Sequence, residues 1–131
     1  MKIKLLNTAL LTVTLVFILA NNCFSHYGMV IPSDNMIMQD EKRKIKITLS
    51  FSHPFEGIGM ELKKPKSFFV VKKGKKQDLA GELSPVLVMD NPAWTLAYSV
   101  KRPGAHAFVM EPSPYWEPAE DCYIIHTTKT I

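Results

Sequence analysis

The feature that most constrains the fold of this chain is an unbroken alternation of apolar and polar residues ahead of Pro54. The apolar positions are Ile45, Ile47, Leu49 and Phe51, and they alternate with Lys44, Lys46, Thr48 and Ser50. An apolar period of two predicts a β-strand with one buried and one solvent-facing side, as in an antiparallel sheet. His53 continues the apolar series and Pro54 ends the strand, so we expect His53 at the rim of the buried face.

The rest of the chain consists of short strand-like segments separated by turns. Further strands are predicted at residues 68–72, 85–89, 94–100 and 105–110. A glycine-centred hairpin tip at residues 72–76 and turns at residues 90–92 and 102–104 separate them. Nine prolines fall at segment boundaries, and no segment has the period of a long amphipathic helix. We therefore predict an all-β chain, an antiparallel β-sandwich of immunoglobulin-like or prealbumin-like type.

An acidic, proline-rich stretch precedes the last predicted strand. Three prolines between residues 111 and 118 fix φ and remove backbone donors, so this stretch is predicted to be irregular. Residues 121–127 are rich in β-branched and aromatic side chains and are predicted to form one strand. Cys122, Ile124 and His126 would share a face of that strand.

Residues 1–25 are predicted to be a cleaved signal peptide. Lys2 and Lys4 provide the basic start, residues 9–20 form an apolar core too short to span a bilayer, and cleavage is expected before His26. We therefore expect a periplasmic protein with no membrane span after cleavage, in which residues 26–131 form the sandwich domain. That domain carries 14 basic and 12 acidic residues, a balance that argues against a nucleic-acid partner.

Sulfur-containing side chains leave two alternatives open. Cleavage would remove Cys23 and leave Cys122 without an internal disulfide partner. Cys122 is then either a small buried hydrophobic residue or a soft metal ligand near His126. Three methionines near the first turn are expected to fill the core, although thioethers also bind Cu(I). They are Met29, Met36 and Met38.

His26 would become the first residue of the processed chain. Its α-amine and imidazole could then chelate one metal ion, because an amine with a pKa near 8 loses its proton to a metal at neutral pH. Nitrogen ligands of this kind suit Ni, Co, Cu and Zn. The alternative is that His26 merely follows the cleavage site and frays. His106 is expected to pack beside Phe108 as an amphipathic aromatic residue, outside any site.

Three long segments of the chain resemble one family of exported bacterial β-sandwich proteins. They are HYGMVIPSDNMIMQD, ITLSFSHPFEGIGMELKKPKSFFVVKKGKK and RPG…VMEPSPYWEPAEDCYIIHTTKT. The family is of formally unknown function and is commonly described as the periplasmic component of ABC-type cobalt/nickel transport. The resemblance implies that His26 begins the mature chain and that His53 and His126 occupy characteristic family positions. Members of this family continue well beyond Ile131, so we expect this chain to be a fragment.

We expect His26, His53 and His126 to meet at one end of a sheet and to bind a divalent transition metal. The resemblance implies nickel or cobalt as the ion, and copper or zinc are alternatives that also suit nitrogen ligands. Three or four nitrogen donors would leave positions open for exchange. Side chains that could assist are Met29, Cys122 and Glu117, the last as an acceptor for an imidazole N–H.

The predicted function is therefore metal binding for a nickel or cobalt importer, with the importer's membrane permease and ATPase as partners. The sequence has no glycine-rich phosphate loop, no Gly-x-Ser-x-Gly and no His-Glu-x-x-His, so we do not expect an enzyme. Two alternatives remain: a non-catalytic envelope sandwich that binds other proteins, and a copper-binding redox protein.

Overall fold

The computed structural model describes residues 26–118 and 121–131, and in these residues every strand pair is antiparallel. The strands in chain order are β1 (Tyr27–Pro32), β2 (Lys44–His53), β3 (Ile58–Met60), β4 (Ser67–Lys72), β5 (Lys75–Asp78), β6 (Ser84–Val88), β7 (Asn91–Ser99), β8 (His106–Glu111), β9 (Tyr115–Glu117), β10 (Cys122–Ile124) and β11 (Thr128–Thr130). A single 3-10 turn, Ala80–Glu82, is the one helical element in the described part. The predicted signal peptide, with Cys23, lies outside the described residues.

Two sheets form the sandwich. The first has the order β1-β2-β7-β6, with β3 paired to the end of β2, and the second has the order β11-β8-β4-β5. A separate hairpin of β9 and β10 follows β8. The core between the sheets includes Ile47 and Leu49 from one side and Phe68, Val70 and Met110 from the other, all fully buried. The all-β sandwich is therefore confirmed.

The alternation in β2 correctly predicted its core-facing side. Ile45, Ile47, Leu49 and Phe51 are buried, and His53 lies half-buried at the strand end. The opposite side faces solvent only in the first half of the strand, because Ser50 and Ser52 in its second half are also buried. Met29 and Tyr27 of β1 lie directly across from these two serines. Large cross-strand neighbours shield small hydroxyl side chains, an effect that the period of β2 alone could not reveal.

The prediction of an irregular acidic stretch was wrong at its centre. Pro114 and Pro118 flank β9 and do not interrupt it, so the three residues between them keep their backbone N–H groups and pair with β10. The predicted continuous strand over residues 121–127 was also wrong. Strand β10 ends at Ile124, and residues 125–127 connect it to β11.

Burial was mispredicted for several sulfur-containing side chains. Met36 and Met38 are exposed by 71% and 59%, and Cys122 is exposed on the β9–β10 hairpin. The methionines lie on the β1–β2 connection, and the hairpin that carries Cys122 belongs to neither main sheet. These three side chains are not covered by the core, so composition alone misled the prediction. Within residues 26–118 and 121–131, the chain forms no apolar helix long enough to cross a membrane.

Candidate functional site

Two of the three histidines that were predicted to bind a metal lie side by side at one end of the sandwich. His26 directly precedes β1 and His53 is the last residue of β2, and the register that pairs Tyr27 with Ser52 brings their neighbours together. The two imidazole ring centroids are 4.1 Å apart, with the ring planes tilted by 51°. The alternation in β2 puts His53 on the core-facing side of the strand, and the pairing of β1 with β2 brings it beside His26.

Aromatic side chains form the floor of this histidine pair. Phe51 stacks against His26 with a centroid separation of 5.7 Å and a plane angle of 17°. Tyr115 comes from the proline-flanked β9, and its ring centroid lies 5.2 Å from those of both His26 and Phe51. Rigid ring packing of this kind limits the orientations that the His26 imidazole can adopt.

A buried carboxylate faces the same imidazole. Glu117 ends β9 and is only 9% exposed, and its Oε2 lies 3.2 Å from Nδ1 of His26. Charged side chains are seldom buried unless a partner compensates the lost hydration. The sequence suggested Glu117 as an acceptor for an imidazole N–H, and in the structure its carboxylate does contact the His26 ring.

The electrostatic environment keeps His26 neutral more readily than a free imidazole. Burial lowers its pKa below the usual 6.5, and the neighbouring His53 and His126 lower it further, whereas Glu117 opposes the shift. Burial raises the pKa of Tyr115 above 10, and the charge of Glu117 adds to that effect. At neutral pH the neutral form of His26 is therefore favoured, and its proton lies on Nδ1, because the Glu117 carboxylate can only accept a hydrogen bond.

His126 joins the cluster from the β10–β11 connection, with its ring stacked on Phe51 at a centroid distance of 5.7 Å. The backbone N–H of Gly28 donates to His126 Nε2 over 3.1 Å. Because that nitrogen accepts a hydrogen bond, the neutral ring carries its proton on Nδ1. In this arrangement neither ring nitrogen of His126 presents a free lone pair to a metal.

Gly28 is the residue that allows this contact. A Cβ atom there would lie 2.6 Å from His126 Nε2 and 3.2 Å from Met110 Cε, so a side chain does not fit without displacement. The hydroxyl of Thr128 donates to the carbonyl of Gly28 over 2.8 Å. Both backbone groups of Gly28 are thus bonded to side chains from the end of the chain.

The three predicted metal ligands are therefore arranged unequally. His26 and His53 are adjacent, whereas His126 reaches the cluster through Phe51 and is bonded to Gly28. Among the described residues, no set of three or more His, Cys, Asp or Glu side chains is spaced to hold a metal ion. His106 lies apart from the cluster, as expected, where its Nδ1 accepts from the Tyr98 hydroxyl over 2.9 Å.

An open cavity of about 280 Å³ adjoins the cluster. Phe51, Tyr115 and His126 form the wall that it shares with the histidines, and Glu61 and Lys63 are charged residues on its other side. Hydrogen bonds hold that other side in place, because Leu62 N–H donates to the Pro92 carbonyl and Trp94 Nε1 donates to the Leu62 carbonyl. Solvent and small solutes can thus reach the aromatic floor of the site.

Comparison with known proteins gives a family but no activity. No curated protein and no solved structure matches the chain. One family model, described as a domain of unknown function, matches residues 23–131 and so covers both sheets and every residue of the histidine cluster. The chain belongs to this family, DUF4198.

Proposed function

We propose that the chain is a periplasmic, non-catalytic metal-binding protein that binds Ni²⁺ or Co²⁺ as cargo for an ABC-type importer. The observation that carries the proposal is the contact of His26 with both the His53 ring, 4.1 Å between centroids, and the Glu117 carboxylate, 3.2 Å from Nδ1. Two imidazoles and a buried carboxylate in an open, aromatic-lined site are the chemistry that supports a borderline divalent ion.

The spacing of His26 and Glu117 supports a shared metal ion. Metal–nitrogen and metal–oxygen bonds are about 2.0–2.2 Å, so two ligands at angles of 90–110° stand about 2.8–3.6 Å apart. The 3.2 Å between Nδ1 and Oε2 falls in this range. At this spacing an ion could replace the proton between Nδ1 and Oε2, with Glu117 as a ligand in addition to His26 and His53.

Processing before His26 would complete this ligand set. The freed α-amine and Nδ1 of the same residue could close a chelate ring around one ion, which would displace the Nδ1 proton that Glu117 accepts. Nitrogen ligands with one carboxylate favour Ni²⁺ and Co²⁺ over Ca²⁺ or Mg²⁺, which prefer oxygen.

His126 takes part in the proposal as a reserve ligand. Its Nε2 becomes available only when the Gly28 N–H bond breaks, which would let the metal gain a third imidazole. A ligand set that grows or shrinks by one nitrogen suits a protein that must both capture and release its cargo. Delivery requires an exchangeable site, because a closed cage of four fixed ligands holds its ion too long.

Periplasmic location and delivery to a permease and ATPase rest on the sequence. They follow from the predicted signal peptide and from the family resemblance, whereas the geometry supports metal binding itself. The two parts of the proposal can therefore be tested separately.

The direct test is equilibrium dialysis of the protein recovered from an exporting host, against Ni²⁺, Co²⁺ and Cu²⁺. We expect micromolar or tighter binding of Ni²⁺ or Co²⁺ that His26→Ala or His53→Ala each weakens at least about tenfold. His106→Gln is the matched control, since His106 lies outside the cluster and its loss should leave binding unchanged.

Other results would favour other functions. No binding of any of these ions below about millimolar concentration would contradict the proposal and favour an envelope sandwich that binds other proteins. Binding of copper alone, with oxidation of a test substrate that depends on it, would favour a redox protein instead.

A further inference from the structure

A second concave site lies at the opposite end of the sandwich from the histidines. Strand β8 runs from His106 at this end to Glu111 near the histidine cluster, a length of roughly 17 Å at 3.3 Å per residue. The concavity has a volume of about 330 Å³. We refer to it as the basic cleft, because five of the residues that line it are cationic: Lys72, Lys73, Lys75, Lys101 and Arg102.

The cations of the basic cleft come from two separate turns. Lys72, Lys73 and Lys75 belong to the β4–β5 hairpin, whereas Lys101 and Arg102 follow β7. Among the described residues that line the cleft, none is acidic. Residues 26–131 carry nearly equal numbers of basic and acidic side chains, so this concentration of one sign of charge is local. A concave surface with charges of one sign focuses the electrostatic field and attracts ions of opposite charge.

Specific contacts tie the two turns together. His106 Nε2 donates to the Arg102 carbonyl over 3.2 Å, and its Nδ1 accepts from the Tyr98 hydroxyl. The ammonium group of Lys72 lies 5.7 Å from the centre of the Tyr98 ring and donates to the Gln77 side chain over 3.0 Å. Tyr98 thus contacts Lys72 of the hairpin directly and is linked to Arg102 of the other turn through His106. The cleft is formed before any ligand arrives, which reduces the entropic cost of binding.

We propose that the basic cleft binds a molecule with clustered phosphate groups. Lysine ammonium groups and the planar Arg102 guanidinium are the side chains that bind phosphate oxygens best, and five of them around one concavity match several negative charges rather than one. A soluble polyphosphate and the headgroups of an anionic phospholipid surface share this chemistry. On such a surface, the histidine cluster would face away from the lipid.

The test measures binding of inorganic tripolyphosphate to the full chain by calorimetry at low ionic strength. We expect saturable binding that weakens as salt is added, because partly exposed charges are screened. Lys73→Gln and Lys101→Gln, one from each turn, should each weaken binding, and the double variant should weaken it about tenfold or more. Circular dichroism of each variant checks that the sheets are intact.

The chain provides a matched control in the same hairpin. Lys76 is not among the residues that line the cleft, and its Nζ lies over the Phe69 ring at 3.7 Å. Lys76→Gln removes one positive charge from the same turn and should leave binding nearly unchanged. The proposal is overturned if tripolyphosphate shows no saturable binding, or if Lys76→Gln weakens it as much as Lys73→Gln.

A second arm of the experiment distinguishes the sources of phosphate. Sedimentation with phosphatidylglycerol vesicles, compared with phosphatidylcholine vesicles of the same size, measures headgroup binding. Vesicle binding that tripolyphosphate competes away and that the double variant loses identifies a lipid headgroup as a ligand. Tripolyphosphate binding without vesicle binding identifies a soluble phosphate ligand instead.

Discussion

Gly28 illustrates how a residue without a side chain can be essential to the histidine cluster. Its N–H and carbonyl groups are both bonded to side chains, and His126 Nε2 occupies the space where a Cβ would lie. We predict that Gly28→Ala lowers the free energy of unfolding by about 1–3 kcal/mol, the usual range for overpacking, as measured by urea denaturation.

The matched control for this change is Gly81→Ala. An added Cβ at Gly81 meets no atom within 4 Å, so this variant should stay within about 0.5 kcal/mol of the wild-type protein. Equal effects at both glycines would show that the contact with His126 has no energetic importance.

Glu117 provides a second prediction at the level of the residue. Glu117→Gln keeps an oxygen acceptor near His26 but removes the negative charge, so we predict Ni²⁺ binding at least about tenfold weaker. In the metal-free variant the pKa of His26 should fall further, because the charge of Glu117 raises it in the wild-type protein. Dialysis and an NMR titration of the His26 ring measure the two effects.

Glu111→Gln serves as the control for Glu117, because Glu111 is exposed and accepts a hydrogen bond from the Ser67 hydroxyl at the protein surface. It should alter neither quantity. If Glu117→Gln leaves Ni²⁺ affinity intact, Glu117 is not a metal ligand.

The residues of the site differed in how far the sequence revealed them. The position of His53 at the rim of the buried face could be predicted, because the apolar period of two in β2 determines which side of the strand each residue faces. The burial of Glu117 could not be predicted, because it depends on β9, a strand that the surrounding prolines concealed. The hydrogen bond that occupies His126 joins residues 98 positions apart, and no local pattern encodes such a contact.

Among the elements, β1 and β11 are edge strands of different sheets that side chains join together. Thr128 on β11 donates its hydroxyl to Gly28 on β1, so one side of the sandwich is closed without backbone pairing between those strands. We predict that Thr128→Val lowers the free energy of unfolding by about 1 kcal/mol, since it removes one partly buried hydrogen bond while keeping the shape.

Thr127→Val is the matched control for Thr128, because Thr127 is exposed and lies between β10 and β11. Urea unfolding of both variants measures the comparison. Equal stability of the two valine variants would contradict a role for Thr128 in closing the sandwich.

Strands and turns with local signals were the most predictable elements. The alternation in β2 is a property of consecutive residues, and the hairpin tip at Lys73 and Gly74 has the positive φ angles that its glycine suggested. Strands β3, β9 and β10 have three residues each. Their formation depends on partners supplied by the rest of the fold, and so a period cannot be recognised within them.

For the whole molecule, the lowered pKa of His26 predicts how stability responds to pH. The unfolded chain binds more protons than the folded one between the folded pKa of His26 and the unfolded value of 6.5. This contribution to stability is therefore fully present above pH 6.5 and is lost as the pH falls through the folded pKa.

Urea unfolding at pH 7.5 and 5.5 with a metal chelator present measures this response. His26→Gln should reduce the loss of stability between the two pH values, whereas His106→Gln controls for removal of any histidine. An unchanged pH response in His26→Gln would contradict the prediction.

Under the proposed function, the histidine cluster would also determine when the exported protein can bind a metal ion. Its contacts join opposite ends of the described chain, with separations of 98 and 100 residues for the two bonds to Gly28. A polypeptide that leaves an export channel with His26 ahead of Glu117 cannot assemble these contacts until the last strands have crossed. Metal capture would then be timed by completion of folding, and an ion bound tightly to this protein would indicate that its export had finished.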